Sequence, residues 1–316
     1  MSRSTIGGHS MNPPNRSERH FLNYRKNWQL YLMLLLPLAW LISFAYKPML
    51  GVIVAFKDFN IFSTIWDAEW VGLKHFRDAF GAREFWIALK NTLILNLGDV
   101  ILGFPIPILF AIFLNELSSS KVRKITQTTL YLPNFLSWVI IAGITVQIFS
   151  SNGLLSNVVQ NLGGGNVNLM NNPGQWRFVY WIMGIWQGAG YSLIIYLAAL
   201  AGTDPSLGEA AYIDGANRFQ RIFHVTVPQI APTITMMLIL QLGKLISISF
   251  ERPFLMGNAL VRDASQVLST YVYSVGLQSA RFDFATAIGL FQSVVGVFLI
   301  FLFNALSKKL GSEGIL

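Results

Sequence analysis

Glu209-Ala210-Ala211-Tyr212-Ile213-Asp214-Gly215-Ala216 continues through Arg218 and Arg221 to Val225-Thr226-Val227-Pro228, and long apolar runs bracket it on both sides. It is the most polar part of the second half of the chain. Asp204-Pro205-Ser206 opens it with helix-start chemistry, a capping side chain followed by a ring that fixes φ in the first turn. Leu207, Ala210, Ala211 and Asp214 then fall at helical spacing, and Gly215 supplies a residue that turns the chain with positive φ. A second short helix is expected from Asn217 to Val227, with Phe219, Ile222 and Phe223 on one face, before Pro228 and Pro232 punctuate the return to apolar sequence. The spacing predicts a helix–turn–helix held outside a membrane, acidic in its first half and basic in its second. Ser206 and Glu209 also fit the S-x-x-E capping box. Glu209 is therefore read both as a cap and as a contact for a partner, since a capping carboxylate keeps lone pairs free.

The surrounding chain makes the membrane reading firm. Of its residues 53% are hydrophobic and 12% charged, against about a quarter charged in a soluble domain. The bilayer is thus the solvent for most of the chain. Without cysteine there is neither a disulfide nor a thiolate metal site, and the four histidines are too scattered for a metal box. Gly243-Lys244 lacks the upstream glycine and the following Ser or Thr of a phosphate-binding loop, so no ATP site is expected. No nucleophile, acid or base cluster suggests an enzyme. The net charge of +8 fits basic residues on the inner side of spans better than nucleic-acid binding.

Apolar runs at 28–50, 85–114, 125–149, 178–200, 230–250 and 284–306 each suffice to cross a core that needs roughly 20 residues. The expectation is an all-α membrane protein with six transmembrane helices and both termini cytoplasmic. Residues 1–27 form a cytoplasmic tail, 28–307 one membrane domain with an inner loop at 202–228, and 308–316 a second tail. Arg3, Arg16, Arg19, Arg25 and Lys26 in the first tail, with Lys121, Arg123 and Lys124 in the 116–124 loop, set this orientation. Gly103, Pro105 and Pro107 predict a kink in the second span. Gly184, Gly188, Ala189 and Gly190 give the fourth span a small-residue stripe for close packing. Segments 51–85, 150–176 and 251–282 are expected on the outer side.

Two charges, Asp99 and Lys244, fall within these spans. Charge inside hydrocarbon usually faces a cavity or a partner. One reading is a polar translocation path in which Lys244 attracts an acidic solute such as a uronate sugar. The other is a mutual Asp99–Lys244 pair, or a Lys that snorkels to the interface. Trp186, Gln187 and Tyr191, with Trp186 and Tyr191 expected near one face, and Gln241 one turn before Lys244, are the candidate path lining, because sugars are bound by ring stacking plus fixed polar groups. Tyr196 is expected to serve packing instead.

The 202–228 stretch resembles the cytoplasmic loop of permease subunits in binding-protein-dependent ABC importers. Glu209-Ala210-Ala211, Gly215 and Pro228 stand at that family's spacing, with Val225 and Val227 where Ile and Leu are usual. Ala55-Phe56-Lys57-Asp58-Phe59, Trp70-Val71-Gly72-Leu73-Lys74-His75-Phe76, Tyr131-Leu132-Pro133 and Thr270-Tyr271-Val272-Tyr273 resemble its branch for oligosaccharides and polysaccharide fragments, and alginate-importer permeases in particular. The resemblance implies the ABC importer permease fold in a bacterial inner membrane, with 206–218 as the coupling helix docked in an ATPase groove. Glu209, Ala210, Ala211, Asp214, Gly215 and Arg218 would carry that contact. It further implies a heterodimer with a second permease, two ATPase subunits that bind ATP and Mg, and an extracytoplasmic solute-binding protein that delivers an oligosaccharide. No cofactor is expected in this chain, and no nucleic acid. An ion-coupled secondary sugar transporter is the alternative; it would need ionisable relays and paired repeats, and it leaves the 202–228 stretch unexplained.

Overall fold

The computed structural model of the chain describes residues 28–62 and 64–309. The expected tail at 1–27, and 310–316 of the second tail, lie outside the described residues. Among the described residues, six helical stretches are long and apolar enough to cross a membrane: Trp28–Phe56, Arg83–Asn115, Trp138–Asn161, Pro173–Ala201, Arg218–Gly243 and Phe282–Lys309.

Of the described residues, those from Trp28 to Ile53 form one unit. Its helix α1, Trp28–Leu41, contains Pro37 and passes into a π-helical turn, Ile42–Tyr46, just before Pro48. The wider turn absorbs the amide that proline lacks.

The second unit starts at Val54. Strands β1, Lys57–Asp58, and β2, Glu69–Trp70, pair antiparallel with Lys57 opposite Trp70. Helix α2, Lys74–Gly81, follows. Its buried His75 approaches the Lys57 carbonyl at 3.0 Å and the Asp283 carboxylate at 3.4 Å, tying this ribbon to the start of the last helix. Helix α3, Arg83–Gly98, runs through a π-helical turn, Asp99–Gly103, into α4, Pro105–Asn115. The expected interruption of the second span thus takes the form of a π turn ahead of Pro105 and Pro107.

The third span differs from expectation. Helix α5, Ser120–Tyr131, is amphipathic, and Leu132–Phe135 is a 3₁₀ turn. A new helix, α6, starts at Trp138 under a Ser137 cap and runs to Phe149, about 18 Å of rise. Residues 125–137, expected inside the span, precede it, because Lys and Arg line α5 and Pro133 stops its ladder. After a turn, α7, Leu154–Asn161, occupies part of what was expected as irregular outer loop.

Helix α8, Pro173–Ala201, is the longest element and the axis of the unit. The inner loop is α9, Pro205–Ile213, then α10, Arg218–Arg221, then a π-helical turn, Ile222–Thr226, before α11, Val227–Gly243. The fifth span therefore begins inside the stretch expected as loop and ends at Gly243 rather than residue 250. The outer segment folds as α12, Glu251–Met256, α13, Arg262–Ser265, and α14, Leu268–Tyr273, and α15, Phe282–Lys309, closes the chain.

Three apolar clusters hold this unit. Leu95, Ile141, Trp176, Tyr180, Met256 and Val261 form one; Phe85, Ala88, Ile246, Leu268, Phe284 and Ile288 form another. Ala111, Leu114, Leu193, Tyr196, Leu200 and Ile230 form a third at the level of the inner loop. Close approach of backbones does the rest, as expected where lipid supplies no hydrophobic drive between helices. A Cβ on Gly190 would lie 1.9 Å from the Leu130 carbonyl oxygen, so only glycine lets α8 reach α5 here.

Candidate functional site

Two regions of the second unit bear on function: a cavity inside the helix bundle, and the inner hairpin.

The cavity has a volume of about 280 Å³ and lies among the π turn Asp99–Gly103, α4, α8, α11 and α12, with Asp99, Gly188, Ser192, Tyr196, Gln241 and Arg252 on its wall. Asp99 stands at the first position of the π turn. Its carboxylate is held by Arg252, with Nη1 to Oδ2 at 2.8 Å and Nη2 to Oδ1 at 3.2 Å. Arg252 Nη2 also donates to the Tyr180 carbonyl at 2.6 Å, and the guanidinium sits 3.5 Å from the Tyr180 ring centroid and 5.4 Å from that of Trp138. The planar cation is thus bonded at its edge and stacked on its face, the geometry in which Arg tolerates burial. Gly184 makes the room: a Cβ there would lie 2.1 Å from Arg252 Nη2. Gln241 Nε2 donates to the Asp99 carbonyl at 3.4 Å.

This corrects the expected partner of Asp99. Arg252 was assigned to the outer segment, but α12 turns back and carries it inward. Lys244 does not pair with Asp99. It is exposed, caps the C-terminus of α11 and forms no ion pair among the described residues. A cation suits that end of a helix dipole. Its carbonyl accepts a hydrogen bond from Asn96 Nδ2 at 3.3 Å.

Of the other path candidates, Asp99 and Gln241 line the cavity and Trp186, Gln187 and Tyr191 do not. Trp186 and Tyr191 are five residues apart, so they point about 140° apart around the helix rather than to one face. Trp186, 42% exposed, Tyr191, 61% exposed, and the half-buried Gln187 all lie outside the cavity lining. Tyr196, read as packing, is buried against Phe104 and also forms cavity wall. Arg252 escaped the sequence reading, although a carboxylate at Asp99 in an apolar run demanded a cation.

The inner hairpin is built by its caps. Asp204 accepts from the Ser206 amide at 2.9 Å, Pro205 occupies the first turn, and the hydrogen bonds from Ser206 hold the exposed Asp204 carboxyl below the usual range. Helix α9 ends in a Schellman motif. The Ala216 amide donates to the Ala211 carbonyl at 2.9 Å and the Gly215 amide to Tyr212 at 3.1 Å, with Gly215 at φ 82°. The capping box expected at Ser206 and Glu209 is absent; Asp204 is the cap, and the box forms instead between Asn217 and Gln220.

Glu209, Ala210, Asp214 and Gly215 are exposed and Ala211 half-buried. Arg218 reaches sideways, its Nε 2.7 Å from Glu116 Oε2 and its Nη2 3.0 Å from the Glu116 carbonyl, bracing the hairpin on the 116–119 turn. Leu207, Tyr212, Ile213, Phe219 and Phe223 are 51–83% exposed. The result is a short rigid knob with an uncovered apolar surface, an acidic rim and its own brace.

Residues 90–311 match the family model described as binding-protein-dependent transport system inner membrane component. The chain is 41% identical to the polygalacturonan/rhamnogalacturonan transport system permease protein YteP of Bacillus subtilis, over 90% of this chain and 89% of that one. It is 38% identical to protein LplB of Bacillus subtilis, over 92% of each chain. Among solved structures it resembles a bacterial ABC transporter involved in the import of the acidic polysaccharide alginate, with a TM-score of 0.84 and 39% identity over 92% of this chain and 99% of that one. A second structure, of the bacterial alginate ABC transporter in complex with an alginate pentasaccharide-bound periplasmic protein, gives a TM-score of 0.85 at 38% identity over 94% of this chain and all of that one. With six membrane-spanning helices and a match across most of its length, the chain belongs to the inner-membrane components of binding-protein-dependent transport systems.

Proposed function

We propose that this chain is one of two permease subunits of an ATP-driven importer that moves acidic oligosaccharides across the inner membrane. The observation that carries the reading is the inner hairpin. A chain with no phosphate-binding loop presents a braced helix with an uncovered apolar face, which is what a separate ATPase needs in order to push on the membrane helices, since packed helices move as bodies. Glu209, Ala210, Ala211, Asp214 and Gly215 form that contact, and Arg218 stiffens it from behind. ATP and Mg belong to the ATPase subunits.

The acidic substrate is supported by the relatives, one of which imports a polysaccharide described as acidic. The cavity supplies a route: Gln241, Ser192 and Tyr196 offer hydrogen bonds, and the Asp99–Arg252 pair keeps its wall polar without net charge. Gln187 and Tyr191, outside that lining, face a second permease that completes the enclosure, and Lys244, exposed at the end of α11, is a cation for an acidic sugar. Trp186, also outside the lining, contacts the partner or lipid. Segments 57–82, 150–172 and 253–281 lie at the opposite end of the spans from the hairpin and receive the sugar from a solute-binding protein.

The test is uptake by liposomes containing the full assembly. Uptake of a uronate oligosaccharide that requires both ATP and the binding protein supports the reading; uptake driven by a proton or sodium gradient without ATP overturns it.

A further inference from the structure

The outer segment contains a second hollow. It has a volume of about 310 Å³ and is walled by α12, the 257–265 stretch and α14, with Phe254, Asn258, Arg262, Gln266, Tyr273 and Gln278 around it. It lies beyond the end of α11, on the opposite side from the hairpin, and shares only helix α12 with the central cavity. That helix divides its residues between the two sites: Arg252 is buried toward Asp99, while Pro253 and Phe254 line the outer hollow.

The lining has two kinds of group. Phe254 and Tyr273 of the wall pack with Phe250 behind them as an aromatic cluster with ring centroids 4.6–5.5 Å apart, and Phe254 remains 46% exposed. Beside it, the side chains of Arg262, Gln266 and Gln278 make no hydrogen bond or ion pair among the described residues. Asn258 is the exception: it is committed to its own loop and to the Met170 carbonyl at 3.0 Å, and it fixes the rim. An aromatic platform next to convergent donors is the chemistry that binds a sugar ring, with C–H faces stacked on the ring and hydroxyls bonded at the edge. A guanidinium without a carboxylate partner adds a bidentate seat for a carboxylate.

We propose that this hollow is an outer saccharide subsite, which holds one acidic sugar residue between the binding protein and the central cavity. The proposal rests on the reading of the chain as an acidic-oligosaccharide permease. Arg262 takes the carboxylate, Gln266 and Gln278 the hydroxyls, and Phe254 stacks on the ring.

The experiment compares uptake of a trigalacturonate with that of maltotriose by the full assembly in liposomes, for the wild type and for R262Q, R262K, F254A and F254W, each checked for co-purification with its partners. Loss of the charged contact in R262Q raises the KM for trigalacturonate about tenfold and leaves maltotriose unaffected, whereas R262K stays within about threefold of wild type. F254A raises KM for both sugars, and F254W restores it. Equal KM values across the variants, or an R262Q effect of the same size on both sugars, overturns the subsite. So does weaker capture of the sugar-free binding protein by R262Q and F254A, which makes the hollow a protein contact. A wild-type assembly that takes up neither sugar overturns the reading of the whole chain, and this subsite with it.

Discussion

Arg252 and Asp99, 153 residues apart in sequence, meet through two hydrogen bonds of 2.8 and 3.2 Å, with side chains 10% and 24% exposed. The pair joins the outer helix α12 to the π turn between α3 and α4, and Tyr180 and Gly184 of α8 close the joint. Breaking one side leaves the other charge buried and uncompensated, which costs about 3 kcal/mol or more. Arg252→Met and Asp99→Ala are each expected to lower the thermal midpoint of the solubilised protein by several degrees. The double substitution is expected to recover much of that loss. Additive single effects would show that the two charges do not stabilise each other.

Gly184→Ala is expected to break the same joint without touching either charge, because its Cβ would lie 2.1 Å from Arg252 Nη2. Oligosaccharide uptake is expected to fall about tenfold, the scale of a lost charge-assisted hydrogen bond. Gly289→Ala, whose Cβ meets nothing within 4 Å, is the control. Equal uptake by the two variants would remove Gly184 from the account.

Gly215 sits at φ 82° in the Schellman turn, and any other residue there is strained by about 1 kcal/mol. Gly215→Asp is expected to insert and to assemble with the second permease, yet to lose coupled uptake. Normal uptake by this variant would dismiss the turn as a mechanical element.

The cap at Asp204 gives the hairpin an acid-sensitive end. Hydrogen bonds from Ser206 lower its carboxyl below the ordinary value, so the cap is at full strength above the usual carboxylate range and weakens as pH falls through the depressed value. Protection of the Ser206 amide, its exchange rate set against the intrinsic rate at each pH, is expected to fall in acid. In Asp204→Asn, which caps without titrating, this acid dependence is expected to vanish. Identical pH profiles would mean that the side chain does not protect that amide.

Much of this architecture was legible because it rests on local chemistry. Asp204-Pro205-Ser206 and Gly215 mark the ends of α9 through backbone rules that hold in any context, and Gly103, Pro105 and Pro107 announce the break that becomes the π turn. What was hidden depends on tertiary placement. Arg252 follows Phe250-Glu251 and reads as the start of a polar loop; only the fold of α12 turns it inward. Lys244 continues an apolar run and reads as buried, yet α11 ends one residue earlier. The apolar residues of 125–131 extend the third span on paper, while Lys121, Arg123 and Lys124 and the turn at Pro133 keep α5 out of it.

The most direct test of the account is uptake of a uronate oligosaccharide by liposomes holding this chain with its partner permease and ATPases, supplied with the binding protein, with and without ATP, for the wild type and Gly215→Asp. The account predicts accumulation in the wild type only with ATP, a preference over a neutral oligosaccharide of the same length, and loss of uptake in Gly215→Asp while the ATPases still co-purify. Accumulation that follows a proton or sodium gradient without ATP, and that is indifferent to Gly215, would contradict it.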